Sequence, residues 1–258
     1  MDSFANDNIR ISPRAMILAA GKGTRLRPLT DRMPKALVPV NGVPLVIKQI
    51  NKLRANGFSD ITVNVHHFAD MLCGYLADNA PAGVNIRISS EREKLLNTGG
   101  ALRKAAEMFL SGDYGNPVLV HNVDILSNAD LSELYRHSFA HDATLLVSER
   151  NSSRRLLFDS TTMRLVGWKN LTTGEVRTPF NRIDETECRS LAFSGIHVIS
   201  PVLLRKMQQW PDEFSIIDFY LEECRDSDIR AEFVSSLRLL DVGKLDTLAE
   251  AATLEREF

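Results

Sequence analysis

The sequence predicts an α/β protein in which a doubly wound, mostly parallel sheet carries helices on both faces. Three observations predict this fold class. Short apolar runs alternate with amphipathic segments through the first 150 residues, which is typical of strands joined by crossover helices. The first apolar run stops abruptly at two glycines, so the chain turns sharply where the first strand ends. The 258 residues are 44% hydrophobic and 25% charged, which allows a sizeable core and argues against disorder.

The apolar runs give the predicted strands in chain order. Residues 14–19, RAMILA, form a short run that ends before Gly21, which predicts a buried strand. The later predicted strands are also short, and they cover residues 61–65, 84–88, 117–120, 143–147, 192–199 and 229–234.

Apolar residues at helical spacing give the predicted helices. A stripe over 45–53 follows Pro44 and ends at Gly57, which is a common helix-stopping residue. Thr98 opens the most periodic segment, whose apolar face continues to Phe109. Further helices are predicted over 69–76, from a cap at Asn128 or Asp130 through 139, over 216–224 and over 244–256.

The segment 150–190 differs in composition from the rest of the chain. It is rich in Arg, Thr, Ser and Asn and has only short apolar runs, which predicts a small β-hairpin rim. The sequence shows no internal repeat, low-complexity stretch or linker. We therefore expect a polar lead-in over 1–13 and one domain over 14–258.

Charge and cysteine content exclude several classes of function. The net charge of −2 gives no support for nucleic-acid binding through bulk charge. The apolar runs are far shorter than the roughly 20 residues that a membrane span needs, and the first residues are polar. Cys73, Cys188 and Cys224 are too few and too widely spaced for a disulfide framework or a zinc knuckle. We expect a cytoplasmic protein without nucleic-acid or membrane partners, either a monomer or a small homo-oligomer.

The loop after the first predicted strand carries the strongest functional signal. Gly21 and Gly23 let backbone N–H groups approach a ligand that a side chain would block. Ligands of parallel sheets bind at the carboxyl ends of the strands, where this loop lies. The same loop carries the cations Lys22, Arg25, Arg27 and Lys35. This composition predicts a polyphosphate site.

Two common phosphate-binding motifs do not describe this loop. A Walker A loop needs Ser or Thr after its Gly-Lys pair, whereas Lys22 is followed by Gly23. The dinucleotide-binding fingerprint needs a third glycine where this chain has Leu26. A different phosphate-binding family is therefore indicated.

The string over 18–40 resembles the signature of the sugar-1-phosphate nucleotidylyltransferases, or NDP-sugar pyrophosphorylases. The family pattern is approximately GxGTRxxPxTxxxPKxxxP, and it stands here as Gly21, Gly23, Thr24, Arg25, Pro28, Thr30, Pro34, Lys35 and Pro39. The resemblance continues through most of the chain to the DVG at 241–243. It implies a Rossmann-like nucleotidyltransferase fold and a Mg²⁺-dependent reaction of an NTP with a sugar 1-phosphate, giving an NDP-sugar and pyrophosphate.

The resemblance also implies roles for four charged residues. Arg25 matches the arginine that contacts the β- and γ-phosphates, and Lys35 matches the lysine beside the reacting phosphates. Asp124 matches a catalytic aspartate that binds magnesium, and Asp241 matches the second magnesium ligand. The family commonly has glycine before the first aspartate, whereas this chain has Val123.

Further residues are matched to the nucleotide and to the sugar phosphate. On the nucleotide side they are Ala19, Ala20, Gly21, Gly23, Thr24, Thr98 and Gly99. An alternative for the 97–100 loop is a plain helix cap whose glycines only ease close packing. On the sugar-phosphate side the matched residues are Lys169, Gly195 and Asn122. The residues around Lys169 depart from the family's Glu-Lys-Pro segment.

The choice of substrate is open between related reactions. The resemblance extends to short bacterial members that use UTP and N-acetylmuramic acid 1-phosphate, while guanylyl transfer from GTP to mannose or heptose 1-phosphate is an alternative. Cytidylylation of phosphocholine is a more distant one. A non-catalytic paralogue that binds a nucleotide sugar and regulates a partner should have lost one of the four charged residues. His66, His67, Arg154 and Arg155 receive no firm role, although either arginine could pair with a lactyl carboxylate.

Overall fold

A computed structural model of the chain describes residues 13–111 and 115–254, with the side chains at 252 and 254 excepted. The predicted lead-in therefore lies outside the described residues except for Pro13, as does the predicted end of the last helix at 255–256. None of the helices within the described ranges is long and apolar enough to cross a bilayer.

Fourteen strands are present among the described residues. They are β1 (Arg14–Leu18), β2 (Pro39–Val40), β3 (Val43–Pro44), β4 (Asp60–Val65), β5 (Asn85–Ser90), β6 (Val118–Asn122), β7 (Ile125–Ser127), β8 (Ala143–Ser148), β9 (Arg154–Asp159), β10 (Leu165–Asn170), β11 (Val176–Arg177), β12 (Cys188–Ile199), β13 (Ile229–Phe233) and β14 (Leu239–Asp241). The α-helices of the same ranges are α1 (Leu45–Ala55), α2 (Ala69–Asn79), α3 (Asn97–Leu110), α4 (Leu131–His137), α5 (Pro201–Met207), α6 (Ile216–Glu223) and α7 (Leu245–Leu254).

One large mixed sheet joins the parallel core to the rim. Its order is β11-β10-β9-β12-β6-β1-β4-β5, with β8 paired to β12 and β13 paired to β8. Strands β6, β1, β4 and β5 run parallel, and β13 runs parallel to β8. The twelve-residue β12 is antiparallel to β6, β8 and β9 and is longer than predicted. The predicted doubly wound, mostly parallel α/β fold is confirmed. The antiparallel direction of β12 was not predicted.

The first strand shows why helices cover both faces of the sheet. Ala15 and Ile17 pack into one apolar core with α1, α2 and α4, whereas Met16 packs into a second core with α3, α5 and α6. Successive strand side chains point to opposite faces, so an uninterrupted apolar run can be buried only between two layers of helices.

Helix ends follow local chemistry. Asp130, and not Asn128, caps α4, because its carboxylate accepts a hydrogen bond from the Glu133 N–H at 2.9 Å. Helix α5 was not predicted, although Ser200 caps it and Pro201 stands in its first turn. It is only seven residues long, which is too short for a clear periodic pattern.

Two histidines are buried in the sheet, and they predict sensitivity to acid. Burial lowers the pKa of His121 to about 4 and that of His197 to about 3, from an ordinary value near 6.5. Below about pH 6.5 these two histidines therefore bind protons in the unfolded chain but stay neutral in the folded chain. We expect the free energy of unfolding to fall by up to about 1.4 kcal/mol per pH unit for each histidine as the pH drops from 6.5 toward 4.

Urea denaturation between pH 7.5 and pH 4.5 measures this dependence. The variant His197→Phe removes one of the two groups and should make the dependence shallower. The same slope in both proteins would contradict this explanation.

Candidate functional site

The glycine-rich loop folds back on itself beside the end of β1. It contains three short 3-10 turns, at Thr24–Leu26, Leu29–Asp31 and Lys35–Leu37. Gly23 has φ +61°, and a Cβ added there would lie 2.9 Å from the Thr30 methyl and 3.0 Å from the Lys35 Cβ. The Thr30 hydroxyl donates to the Gly23 carbonyl at 2.8 Å. These three signature residues therefore pack on one another, and the packing holds Lys35 in place.

A cavity of about 210 Å³ opens where β1, β4, β5 and β6 end. Six predicted site residues line it, namely Ala20, Gly21, Lys35, Thr98, Asn122 and Asp124. Carboxyl ends of parallel strands meet at one edge of a sheet, which is why segments far apart in the sequence surround one cavity.

The Lys35 ammonium and the Asp124 carboxylate form an ion pair in this cavity. Lys35 is only 8% exposed, so the pair lies largely out of solvent. The Gln49 side chain of α1 fixes the turn that carries Asp124, because its amide donates to the carbonyls of Val123 and Ile125 at 3.3 and 2.7 Å. Val123 is itself buried and has no left-handed backbone, so the turn does not require glycine at this position.

A short antiparallel ribbon brings Asp241 beside Asp124. Strand β14 pairs with β7 so that Asp241 stands opposite Ile125, and the Val242 N–H donates to the Asp124 carbonyl at 2.8 Å. The Asp241 carboxylate accepts from the Gly243 N–H at 2.9 Å. A Cβ on Gly243 would lie 2.8 Å from an Nη atom of Arg25, so that guanidinium reaches the same corner.

The two aspartates form a donor set that suits magnesium. No group of three or more His, Cys, Asp or Glu side chains that could hold a metal occurs in the described ranges. Mg²⁺ is commonly held by one or two carboxylates, with phosphate oxygens and water completing its shell. Asp124 and Asp241 therefore fit a magnesium ion that arrives with a polyphosphate substrate, and they do not form a closed protein site.

A buried polar chain that sequence reasoning missed supports the cavity. The Ala19 N–H donates to the Asn64 side chain at 2.6 Å, and the Asn64 amide donates to the Glu91 carboxylate at 2.6 Å. Glu91 also accepts from the Leu96 N–H at 3.0 Å. The chain thus ties the end of β1 to the start of α3. A polar residue inside the apolar strand ITVNV was the available signal for Asn64.

The glycines of the 97–100 loop serve packing. A Cβ on Gly99 would lie 2.3 Å from the Phe214 ring, and one on Gly100 would lie 2.0 Å from the Asp212 carbonyl oxygen. The Gly99 N–H donates to the Phe214 carbonyl at 2.9 Å, so this amide is engaged away from the cavity. Thr98 lines the cavity, and its hydroxyl accepts from the Ile216 N–H at 3.0 Å. The close-packing interpretation therefore describes Gly99, while neither Asn97 nor Thr98 caps α3.

The predicted sugar-side residues lie on different strands. Gly195 has φ +80° in β12, and a Cβ there would lie 2.5 Å from the Asn122 amide nitrogen, so β12 approaches the cavity closely only with glycine at this position. Lys169 stands on β10, where its ammonium donates to the Glu185 carboxylate at 2.6 Å. It is not among the residues that line the cavity.

Comparison with known proteins places the chain in a family. The sequence profile described as "Nucleotidyl transferase" matches residues 14–156, which is more than half of the chain. The chain is 33% identical over 193 residues to N-acetylmuramate alpha-1-phosphate uridylyltransferase of Caulobacter vibrioides, covering 72% of this chain and 75% of that protein. The protein of the same name from Neisseria meningitidis is 37% identical over 123 residues, which cover 48% of this chain and 52% of that protein.

More distant matches agree with this placement. Mannose-1-phosphate guanylyltransferase 1 of Arabidopsis thaliana is 33% identical over 139 residues, covering 53% of this chain and 38% of that protein. The crystal structure of HddC from Yersinia pseudotuberculosis complexed with GMP-PN matches with a TM-score of 0.70 at 19% identity, covering 93% of this chain and 98% of that one. At that identity the structural match shows the fold alone. The resemblance seen in the signature is confirmed, and the chain belongs to the nucleotidyl transferase family.

Proposed function

We propose that the chain transfers UMP from UTP to N-acetylmuramic acid 1-phosphate, giving the UDP-sugar and pyrophosphate. One observation carries the proposal: the Lys35–Asp124 pair lies in the cavity at the end of β1. The turn that carries Asp241 joins the backbone of Asp124 through the Val242 N–H, and Arg25 contacts the same turn at Gly243. Two polyanions must approach each other in this reaction, so cations and a metal-binding carboxylate pair are what the chemistry requires. The names of the Caulobacter and Neisseria relatives support the choice of substrates.

The nucleoside fits the cavity itself. Ala20 and Gly21 line one wall, next to Ala19, whose N–H is held by Asn64, and Thr98 lines the cavity from α3. The triphosphate then follows the loop past Gly21, where an added Cβ would meet nothing within 4 Å, and past Gly23 and Thr24, whose backbone N–H groups donate to phosphate oxygens. Arg25 stands further along this loop and binds the β- and γ-phosphates, for which its planar fork is suited.

The transfer is an in-line displacement at the α-phosphorus. An oxygen of the acceptor phosphate forms a bond to that phosphorus, the bond to the bridging oxygen of the β-phosphate breaks, and pyrophosphate leaves with the electron pair. Lys35 stabilises the charge on the α-phosphate, and Asp124 holds the ammonium of Lys35 in position. Asp124 and Asp241 would hold Mg²⁺, which, when bound, neutralises phosphate charge and orients the reacting groups.

The acceptor lies on the β12 side of the cavity. The Asn122 amide fills the space where a Gly195 side chain would stand, and this contact brings β12 against the wall of the cavity. Lys169 is proposed as a cation for the acceptor phosphate. This role requires it to exchange its contact with Glu185 for the substrate.

Pyrophosphate release with a panel of substrates tests the proposal. The purified chain with Mg²⁺ is given UTP or GTP, each with N-acetylmuramic acid 1-phosphate, N-acetylglucosamine 1-phosphate or mannose 1-phosphate. We expect the highest kcat/KM for UTP with N-acetylmuramic acid 1-phosphate. A higher kcat/KM for GTP with mannose 1-phosphate would contradict the proposed substrates and would agree with the match to the Arabidopsis protein. Nucleotide-sugar binding without release from any pair would favour a regulatory paralogue.

A further inference from the structure

Gln49 is a polar side chain in the middle of the apolar face that α1 turns toward the core. It is only 2% exposed, and Val46, Ile50 and Leu53 of the same helix are fully buried. A buried amide costs free energy unless its polar atoms find hydrogen-bond partners. The hydrogen bonds that the Gln49 amide donates are therefore what makes a glutamine compatible with this position.

These hydrogen bonds fall on either side of one proposed magnesium ligand. The amide nitrogen of Gln49 carries two hydrogens, and it donates to the carbonyls of Val123 and Ile125 at 3.3 and 2.7 Å. The Asp124 carbonyl between them accepts from the Val242 N–H at 2.8 Å. Three successive carbonyls of the turn are thus bonded, which fixes the direction in which the Asp124 side chain leaves the backbone.

Helix α1 also holds the strand on which the second carboxylate depends. The Lys52 ammonium, one turn after Gln49, donates to the Ser127 carbonyl at 2.7 Å. The two side chains therefore bond the first and the last residue of β7. Strand β14 pairs with β7, and this pairing places Asp241 directly opposite Ile125, whose carbonyl Gln49 holds. A shift of β7 away from α1 would thus move Asp241 as well as Asp124.

We infer that Gln49 is a positioning residue that holds Asp124 and Asp241 as one magnesium-binding pair, an inference that rests on the proposed function. Gln49 is not among the residues that line the cavity, so it acts through the backbone of the turn and not on the substrate. Mg²⁺ demands a near-ideal octahedral shell, so a small displacement of either carboxylate weakens its binding. Groups that orient metal ligands from behind commonly raise metal affinity roughly 10- to 100-fold.

The variant Gln49→Met tests this role, because it keeps the length of the side chain and removes both donors. A non-hydrolysable UTP analogue is titrated into each protein by calorimetry, with and without Mg²⁺, and a GTP analogue is titrated in parallel. The wild type should bind its preferred analogue more tightly with Mg²⁺. In Gln49→Met the affinity with Mg²⁺ should fall roughly 10-fold or more, while the affinity without Mg²⁺ changes less than about twofold.

Gln208→Met is the matched control. The Gln208 amide also donates to two backbone carbonyls, those of Arg103 and Leu204 at 3.1 and 3.4 Å, but Gln208 does not line the cavity. The control should therefore leave both affinities unchanged. Lys52→Met is a second variant that decides the question if Gln49→Met does not fold. It should show a smaller loss of the same kind, confined to the titration with Mg²⁺, because it frees only the far end of β7.

Nucleotide binding separates this inference from the proposed reaction. A loss of affinity in Gln49→Met that appears only with Mg²⁺ supports the inference even if no pair of substrates releases pyrophosphate. An equal loss with and without Mg²⁺ would assign Gln49 to the stability of the fold and overturn the inference. So would unchanged binding in Gln49→Met, a matching loss in Gln208→Met, or a wild type whose affinity for both analogues does not depend on Mg²⁺.

Discussion

Asp124→Asn is expected to lower kcat about 1,000-fold or more. The change keeps the shape of the side chain but removes the charge that holds Lys35 and one of the two proposed magnesium ligands. Metal-assisted charge stabilisation contributes several kcal/mol to reactions of this kind, and each 1.4 kcal/mol corresponds to a factor of ten in rate. Pyrophosphate release at saturating substrates measures the effect, with the exposed Asp78→Asn on α2 as the matched control.

The same variant is also expected to lose stability, and a double variant separates the two effects. Breaking a buried ion pair leaves one charge uncompensated, so Asp124→Asn should unfold at a lower temperature than the wild type. In Lys35→Met/Asp124→Asn neither charge remains, so the Tm should recover while kcat stays low. If kcat recovered together with the Tm, Asp124 would act only through stability.

Lys35→Met is expected to lower kcat by roughly 100- to 1,000-fold, the range found when a single group that stabilises transition-state charge is removed. The ammonium is the cation inside the cavity beside Asp124, and methionine preserves the apolar part of the chain. Lys35→Arg should not restore the rate, because the stem packs tightly against Gly23 and a guanidinium needs more room than an ammonium.

Single-turnover pyrophosphate release measures this effect without interference from product release. Lys104→Met, on the exposed side of α3, is the matched control. A kcat within tenfold of the wild type would contradict a catalytic role for Lys35. A raised KM for UTP with normal kcat would assign it to ground-state binding only.

Local patterns predicted much of the parallel core. After Arg14 the run to residue 19 is apolar without interruption, and β1 is buried on both faces because Met16 and Ile17 enter different apolar cores. The rim was predicted from composition, and β9, β10 and β11 form its antiparallel strands. The length of β12 and its antiparallel direction were not predictable, because they depend on pairing with residues of β8 and β6 that lie 44 to 81 positions away in the chain.

The site residues that belong to a sequence motif were predictable. The contacts between site residues of distant segments were less so. Lys35 and Asp124 were both singled out, but their ion pair joins positions 89 residues apart. Gly99 is predicted to contact the nucleotide, and its close approach to Phe214 is a contact that only the folded structure shows. Asn64 and Glu91 carry no motif, and their support of the cavity depends on strands that meet only in the folded sheet.

The sequence by itself determined the family and the chemistry of the loop, because glycines, prolines and cations at fixed local spacing act within one continuous segment. It also determined the two-faced burial of the first strand, since side-chain alternation is a local property. Only the tertiary structure decided that the strand carrying Asp241 pairs beside Asp124 and that the Gly99 N–H donates to the Phe214 carbonyl. Those outcomes follow from the register and packing of distant segments, which spacing along the chain does not specify.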